Sequence, residues 1–128
     1  MTGSSTLYDR VGGQPFFEAL TKRFYEAVTG DPVLAKLYPT EPEAFEQARA
    51  HLELFLIQYW GGPTTYNEER GHPRLRLRHA PFSIGVAERD AWVTHMTDAV
   101  KEAGMAPLEE MQLLNYLAGA ATQLINNP

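Results

Sequence analysis

Tyr59-Trp60-Gly61-Gly62-Pro63, followed by Arg70-Gly71-His72-Pro73-Arg74-Leu75-Arg76-Leu77-Arg78-His79-Ala80-Pro81-Phe82, is the stretch on which the fold of this chain turns. The Gly-Gly-Pro run stops whatever helix precedes it, because glycine and proline both punctuate regular structure. Upstream, residues 42–60 place Phe45, Ala48, Leu52, Phe55 and Tyr59 on one side at helical spacing. Downstream, the periodicity fails over residues 64–83. At about 20 residues that region is long for a connection, which raises the expectation of function there. Arg74 to Arg78 alternates as a strand would, yet a short helix bounded by Pro73 and Pro81 explains the same pattern.

Working outward, every other segment is helical. A short segment from Thr6 to Val11 ends at Gly12-Gly13. The next opens at Pro15, a favoured first helical position, with Phe17, Leu20, Phe24 and Val28 on one stripe. Tyr25 falls at the edge of that stripe, about 80° from Phe17. Asp31-Pro32 caps a short helix expected to run through Leu37-Tyr38. Two long helices close the chain. The first, over 86–103, carries Trp92, Met96 and Ala99; the second, over 107–126, carries Met111, Leu114, Leu117, Ala121 and Leu124. The expected fold class is all-α, in a single domain over 1–128.

Composition narrows the function. Sixteen acidic against eleven basic side chains leave a net charge of −5, which disfavours a nucleic-acid or anionic-membrane partner. No apolar run approaches the ~18 residues of a membrane span, and Met1 to Asp9 lacks the pattern of a secretory signal. With no cysteine there is no thiolate metal site, disulfide framework or cysteine nucleophile. A cytoplasmic location is expected.

The four histidines, His51, His72, His79 and His95, show no metal-binding spacing among themselves. A lone histidine in a helical protein is ordinarily a surface or packed residue. If residues 73–79 are helical, however, Leu75 and His79 share one face and Arg74 and Arg78 the adjacent one. That pattern suits an amphipathic anion, with its apolar body against the imidazole and its carboxylates against the guanidiniums. Haem meets the description, and a solvated basic helix gives the same spacing.

The two quoted runs, with Leu7-Tyr8-Asp9, Val11-Gly12-Gly13 and Glu88-Arg89-Asp90-Ala91-Trp92, extend a likeness to one family over nearly the whole chain. The sequence resembles the truncated haemoglobins, and among them the second, oxygen-type group. The resemblance implies a two-over-two helical sandwich in which a long loop and a very short helix replace much of the proximal helix. It implies haem b, with His79 as the proximal iron ligand, Arg78 and Arg74 at the propionates, and Leu52, Phe55, Tyr66 and Phe82 around the cofactor. On the distal side it implies Tyr25, Tyr38 and Trp92, with Ala48 where larger globins carry a distal histidine. His51, next to Leu52, is expected to point to the surface, and His95 to serve helix packing.

The expected function is reversible binding of O₂ and other diatomic ligands. Two tyrosine hydroxyls and one indole N–H offer three donors, which slow release and suit transport poorly. A haem redox enzyme, peroxidase-like or a nitric-oxide dioxygenase, stays open as the alternative, as does a cofactor-free helical interaction module. A reductase is a possible partner, and the chain is expected to be a monomer or homodimer.

Overall fold

The structure, a computed structural model, describes residues 6–127. The expectations resting on Met1 to Ser5 and on Pro128, including the outer ends of the domain, lie outside the described residues. Eight helices and no strand occur among the described residues.

Helix α1 (Leu7–Arg10) starts with a capping box: Thr6 accepts from the Asp9 N–H at 3.1 Å and Asp9 accepts from the Thr6 N–H at 3.4 Å. Helix α2 (Gln14–Thr29) has Pro15 in its first turn, and Phe17, Leu20, Phe24 and Val28 are fully buried. Its stripe behaves as the spacing predicts, and each such side chain contributes ~1.5–3 kcal/mol by leaving water. Helix α3 (Pro32–Ala35) is capped by Asp31, whose carboxylate accepts from the Val33 N–H at 2.9 Å and pairs with His95 Nε2 at 2.7 Å. It ends earlier than expected. Leu37 N–H donates to Leu34 and Tyr38 N–H to Ala35, so the last turn tightens to a three-residue repeat and swings Tyr38 off the helix.

Helix α4 (Pro42–Tyr59) departs most from expectation. Its buried residues are Arg49, Glu53, Leu56 and Ile57, whereas Phe45, Ala48, Leu52 and Phe55 are half-buried and Tyr59 is exposed. Ala48, Leu52 and Phe55 of the apolar stripe face a cavity, and the polar positions face α2. They are satisfied there: Arg49 donates to Glu53 at 2.7 Å and to Thr21 Oγ1 at 2.9 Å, and Gln14 donates to Glu53 at 2.9 Å. Gly62, after the helix, does more than stop it. A Cβ there would lie 2.6 Å from Ile57 Cγ2 and 2.7 Å from Tyr8 Cδ1, so only glycine lets α1 dock against the end of α4.

The region 64–83, where the long-helix periodicity fails, contains two short helices: α5 (Thr65–Arg70), and α6 (Leu75–His79), which falls within the short helix considered for 73–79. Helices α7 (Val86–Glu102) and α8 (Pro107–Gln123) complete the chain. On α8 the buried residues are Leu113, Leu117 and Ala121, and Met111 is exposed, because α8 turns its Leu113 face to α7. Helix α2 packs on α4, α7 on α8, and α2 crosses α7. Two pairs are thus stacked, two over two. The core of Phe17, Leu20, Phe24, Val28, Met96 and Val100 fills the crossing and leaves one side of the stack hollow.

Candidate functional site

The hollow is a cavity of about 400 Å³. Ala48, Leu52 and Phe55 of α4 line it, with Leu117, Ala121 and Leu124 from α8 and its end. Tyr25, Tyr38 and Trp92 reach it from α2, the turn after α3, and α7. Tyr66, Arg70, Leu75, Arg78, His79 and Phe82 close it from the 64–83 region. Of the residues singled out from sequence, Arg74 alone does not line it.

Leu75 and His79 share a face of α6 as their spacing requires. His79 Nδ1 lies 2.7 Å from the Leu75 carbonyl oxygen. A carbonyl only accepts, so Nδ1 carries the proton and Nε2 keeps its lone pair. The turn after His79 is held by the C-terminal segment. Asn126 donates to the carbonyls of His79 at 3.3 Å and Phe82 at 2.8 Å, and accepts from the Ile84 N–H at 2.9 Å. Nothing in local spacing marks Asn126, since its partners lie some forty residues away in sequence.

Tyr25, Tyr38 and Trp92 belong to one aromatic cluster. Tyr25 meets Tyr38 edge-on at 5.3 Å and Phe45 at 5.0 Å, and Phe24 meets both Tyr25 and Trp92 edge-on. Burial pushes the Tyr25 hydroxyl far above its ordinary value. Burial also pushes Tyr38 up to about 12, partly offset by the neighbouring Trp92 indole N–H. Both phenols therefore stay protonated and able to donate at neutral pH.

At the rim, Arg78 donates through Nε to the Pro73 carbonyl at 2.7 Å and through Nη2 to the Arg70 carbonyl at 2.9 Å. Both guanidiniums lie over the Tyr66 ring, at 5.8 Å for Arg70 and 5.9 Å for Arg78. His51, expected at the surface, lines the cavity beside Arg70, with Nε2 3.2 Å from Arg70 Nη1. A cavity wider than one side chain is walled by successive residues of the same helix, so adjacency to Leu52 did not exclude it. Arg74 is exposed because α6 begins at Leu75 and not at Pro73. Arg74 adopts the left-handed conformation, φ 44°, and its N–H donates to His72 Nδ1 at 3.1 Å, which turns it out of register with Arg78.

Among the wall residues that sequence spacing missed are Arg70, Tyr116, Glu88 and Arg89. Tyr116 stacks on Tyr59 at 3.9 Å, which buries it and raises its hydroxyl to about 12. Glu88 takes Lys36 Nζ at 2.9 Å and the Gly85 N–H at 2.7 Å, and these bonds lower its pKa. No group of three or more metal-ligating side chains occurs among the described residues. One imidazole with a free nitrogen, apolar walls and cations at the rim fit haem, whose iron needs a single axial protein ligand.

The bacterial-like globin family matches residues 6–126. The group 2 truncated haemoglobin of Bacillus subtilis is 38% identical over 114 residues, 89% of this chain and 84% of that one. Among solved structures, a thermostable haemoglobin from Thermobifida fusca is 51% identical with a TM-score of 0.91, covering 97% of this chain and 99% of that one. A truncated oxygen-avid haemoglobin from Bacillus subtilis superposes with a TM-score of 0.88 at 34% identity, over 95% of this chain and 100% of that one. With that agreement in sequence and in two-over-two fold, the chain belongs to the bacterial-like globins and, within them, to the group II truncated haemoglobins.

Proposed function

We propose that this globin, as one domain, holds haem b against His79 and binds O₂ and other diatomic ligands beside Tyr25, Tyr38 and Trp92, with slow release. The supporting observation is one cavity that joins an imidazole with an uncommitted Nε2 to three hydrogen-bond donors from three other elements. Bound haem supplies the iron chemistry of reversible diatomic binding. The Leu75 carbonyl fixes the tautomer and ring angle of His79, so that Nε2 is the ligating atom. Trp92 donates through its indole N–H, and Tyr25 and Tyr38 through their hydroxyls, to the partial negative charge of a polarised ligand. Each donor is worth ~1–1.5 kcal/mol, about tenfold in affinity.

The lack of any cysteine rules out thioether attachment and supports haem b over a covalently linked haem. Slow release favours scavenging, sensing or redox work over delivery, and the oxygen avidity of the Bacillus subtilis relative supports the same direction. A reductase that keeps the iron ferrous and a cytoplasmic setting complete the proposal. Glu88, a carboxylate on the wall, is held ionised by Lys36 and Gly85 and is not poised as a general acid. Ligand carriage therefore ranks ahead of peroxidase chemistry.

The test is His79→Leu. The ferrous wild type is expected to give an axial-histidine absorption spectrum and the variant to lose it. A variant that keeps that spectrum removes His79 from the role.

A further inference from the structure

Charge is unevenly spread along this chain. Residues 70–87 hold four arginines, Arg70, Arg74, Arg76 and Arg78, and no acidic residue, while all sixteen acidic side chains and the other seven basic ones lie elsewhere. Arg70 and Arg78 line the cavity, whereas Arg74 and Arg76 are exposed and take part in no ion pair among the described residues. Next to Arg76 in α6, Leu77 is 66% exposed, and Phe82 on the following turn is 42% exposed. Arg76 and Phe82 also line an open groove of about 460 Å³ between the turn after α6 and the C-terminal segment. Side-chain hydrogen bonds brace that groove. Asn126 donates to the His79 and Phe82 carbonyls, and Asn127 donates to Ser83 Oγ at 2.7 Å. Phe82 and Leu124 line the groove and the cavity alike, and the Phe82 and His79 ring centres lie 6.3 Å apart. One layer of side chains separates the groove from the cavity.

We propose that this groove and the exposed residues Arg74, Arg76 and Leu77 dock a small acidic iron–sulfur carrier protein, and that electrons enter the cavity here. The proposal rests on haem being held at His79 and gives the reductant of that reading a surface and a charge. Charge complementarity selects the occupant. Unpaired guanidiniums on an otherwise acidic molecule attract a carboxylate-rich protein to this face, and the remaining surface repels it elsewhere. Leu77 and Phe82 supply an apolar contact within the basic patch, and a small patch of this kind suits the brief encounters of electron carriers. A membrane of anionic lipid fits less well, because a flat sheet meets the surrounding acidic side chains together with the concave groove. In the step itself one electron leaves the reduced cluster of the carrier, which is oxidised, and passes by Phe82 and His79 to ferric iron, which becomes ferrous. No covalent bond forms or breaks. The groove is lined by no carboxylate or imidazole that could pass a proton, so the electron moves alone, as it does from an iron–sulfur cluster.

The experiment titrates the haem-loaded protein with an acidic [2Fe–2S] ferredoxin by calorimetry over a range of salt. Stopped-flow mixing then follows anaerobic reduction of the ferric protein by the reduced ferredoxin. The wild type is expected to bind, and to bind more weakly as salt rises. Arg76→Glu should slow second-order reduction at low salt about tenfold and flatten its salt dependence. Lys101→Glu makes the same charge change near the other end of α7 and should behave almost as wild type. Leu77→Ser should weaken binding and leave its salt dependence alone. All three variants should keep the wild-type spectrum, since none of these side chains lines the cavity. Equal slowing by Arg76→Glu and Lys101→Glu overturns the docking site, because net charge alone then sets the rate. Absence of ferredoxin binding at low salt overturns it too, as does binding that neither Arg76→Glu nor Leu77→Ser weakens. Capture by phosphatidylglycerol vesicles, lost in Arg76→Glu while ferredoxin does not bind, overturns it in favour of a membrane. A wild type lacking the axial-histidine spectrum removes the haem reading and the electron step with it; with that spectrum intact, the other failures fall on the docking surface alone.

Discussion

Trp92 is the donor with the simplest chemistry in the cavity, because an indole N–H can only donate whereas the two phenols also accept. Trp92→Phe keeps the ring that packs on Phe24 and removes the donor. It is expected to speed O₂ release about tenfold or more and carbon monoxide release less, since carbon monoxide carries less charge on its terminal oxygen. Stopped-flow dissociation of both gases decides it, and equal acceleration would make Trp92 a steric gate. Tyr25, in ring contact with Tyr38, is expected to act non-additively with it. His51 carries a pH prediction. Burial, then the Arg70 cation, lower its pKa below the usual 6.5; Glu69 opposes them, and Arg78 adds a smaller lowering. The unfolded chain then binds the proton more tightly than the folded one. Stability from this residue is full above about pH 6.5 and is lost as pH falls from there. Between pH 7 and 5 the urea midpoint of the wild type should drop more than that of His51→Gln; parallel curves would show that His51 is not the group titrating.

At the scale of elements, α4 teaches most. Its stripe of Phe45, Ala48, Leu52 and Phe55 was legible, but spacing cannot tell whether an apolar face meets another helix or a cofactor. The burial pattern separates the two: those residues are half-buried, and the fully packed face is Arg49, Glu53, Leu56 and Ile57. Arg49 is 6% exposed and Glu53 7%, so their ion pair lies between α2 and α4. Arg49→Met strands the Glu53 carboxylate with Gln14 alone and should cost ~3–5 kcal/mol. Adding Glu53→Leu should return most of it, because apolar packing replaces a buried pair at little net cost. Chemical denaturation of both variants is the measurement, and a double variant no better than the single would place the cost in lost packing. Helix α6 was legible for a different reason. Its prolines bound it and its arginines phase it, yet its start depended on the left-handed Arg74, which no propensity foretells.

For the whole molecule, the two-over-two stack was readable because four long apolar periodicities, on α2, α4, α7 and α8, must bury against one another. What stayed hidden was long-range: Asn126 on the turn after His79, Arg70 on His51, and Tyr116 on Tyr59 all join residues remote in sequence. These contacts surround a hollow of about 400 Å³, so the cofactor is part of the core. An enclosed void of that volume would cost on the order of 10 kcal/mol, as much as the stability of an entire domain. Opening to solvent at the rim reduces the cost, yet a term of several kcal/mol remains for the cofactor to offset. Ligand linkage adds in the same direction, since the cofactor binds the folded chain and not the unfolded one. Removing haem should therefore lower Tm by roughly 10–20 °C at the few degrees per kcal/mol usual for a domain of this size. The change should be uneven. The core of Phe17, Leu20, Phe24 and Val100 is sealed without the cofactor, so amides there should stay protected in the apo form. Residues 64–85, whose helices are short and whose contacts point into the hollow, should exchange rapidly. Calorimetry with and without haem, paired with hydrogen exchange, reads both halves. An apo-protein that melts with the holo-protein, or protects α5 and α6 equally well, would mean that the walls close on themselves and that the cavity does not depend on the cofactor for its shape.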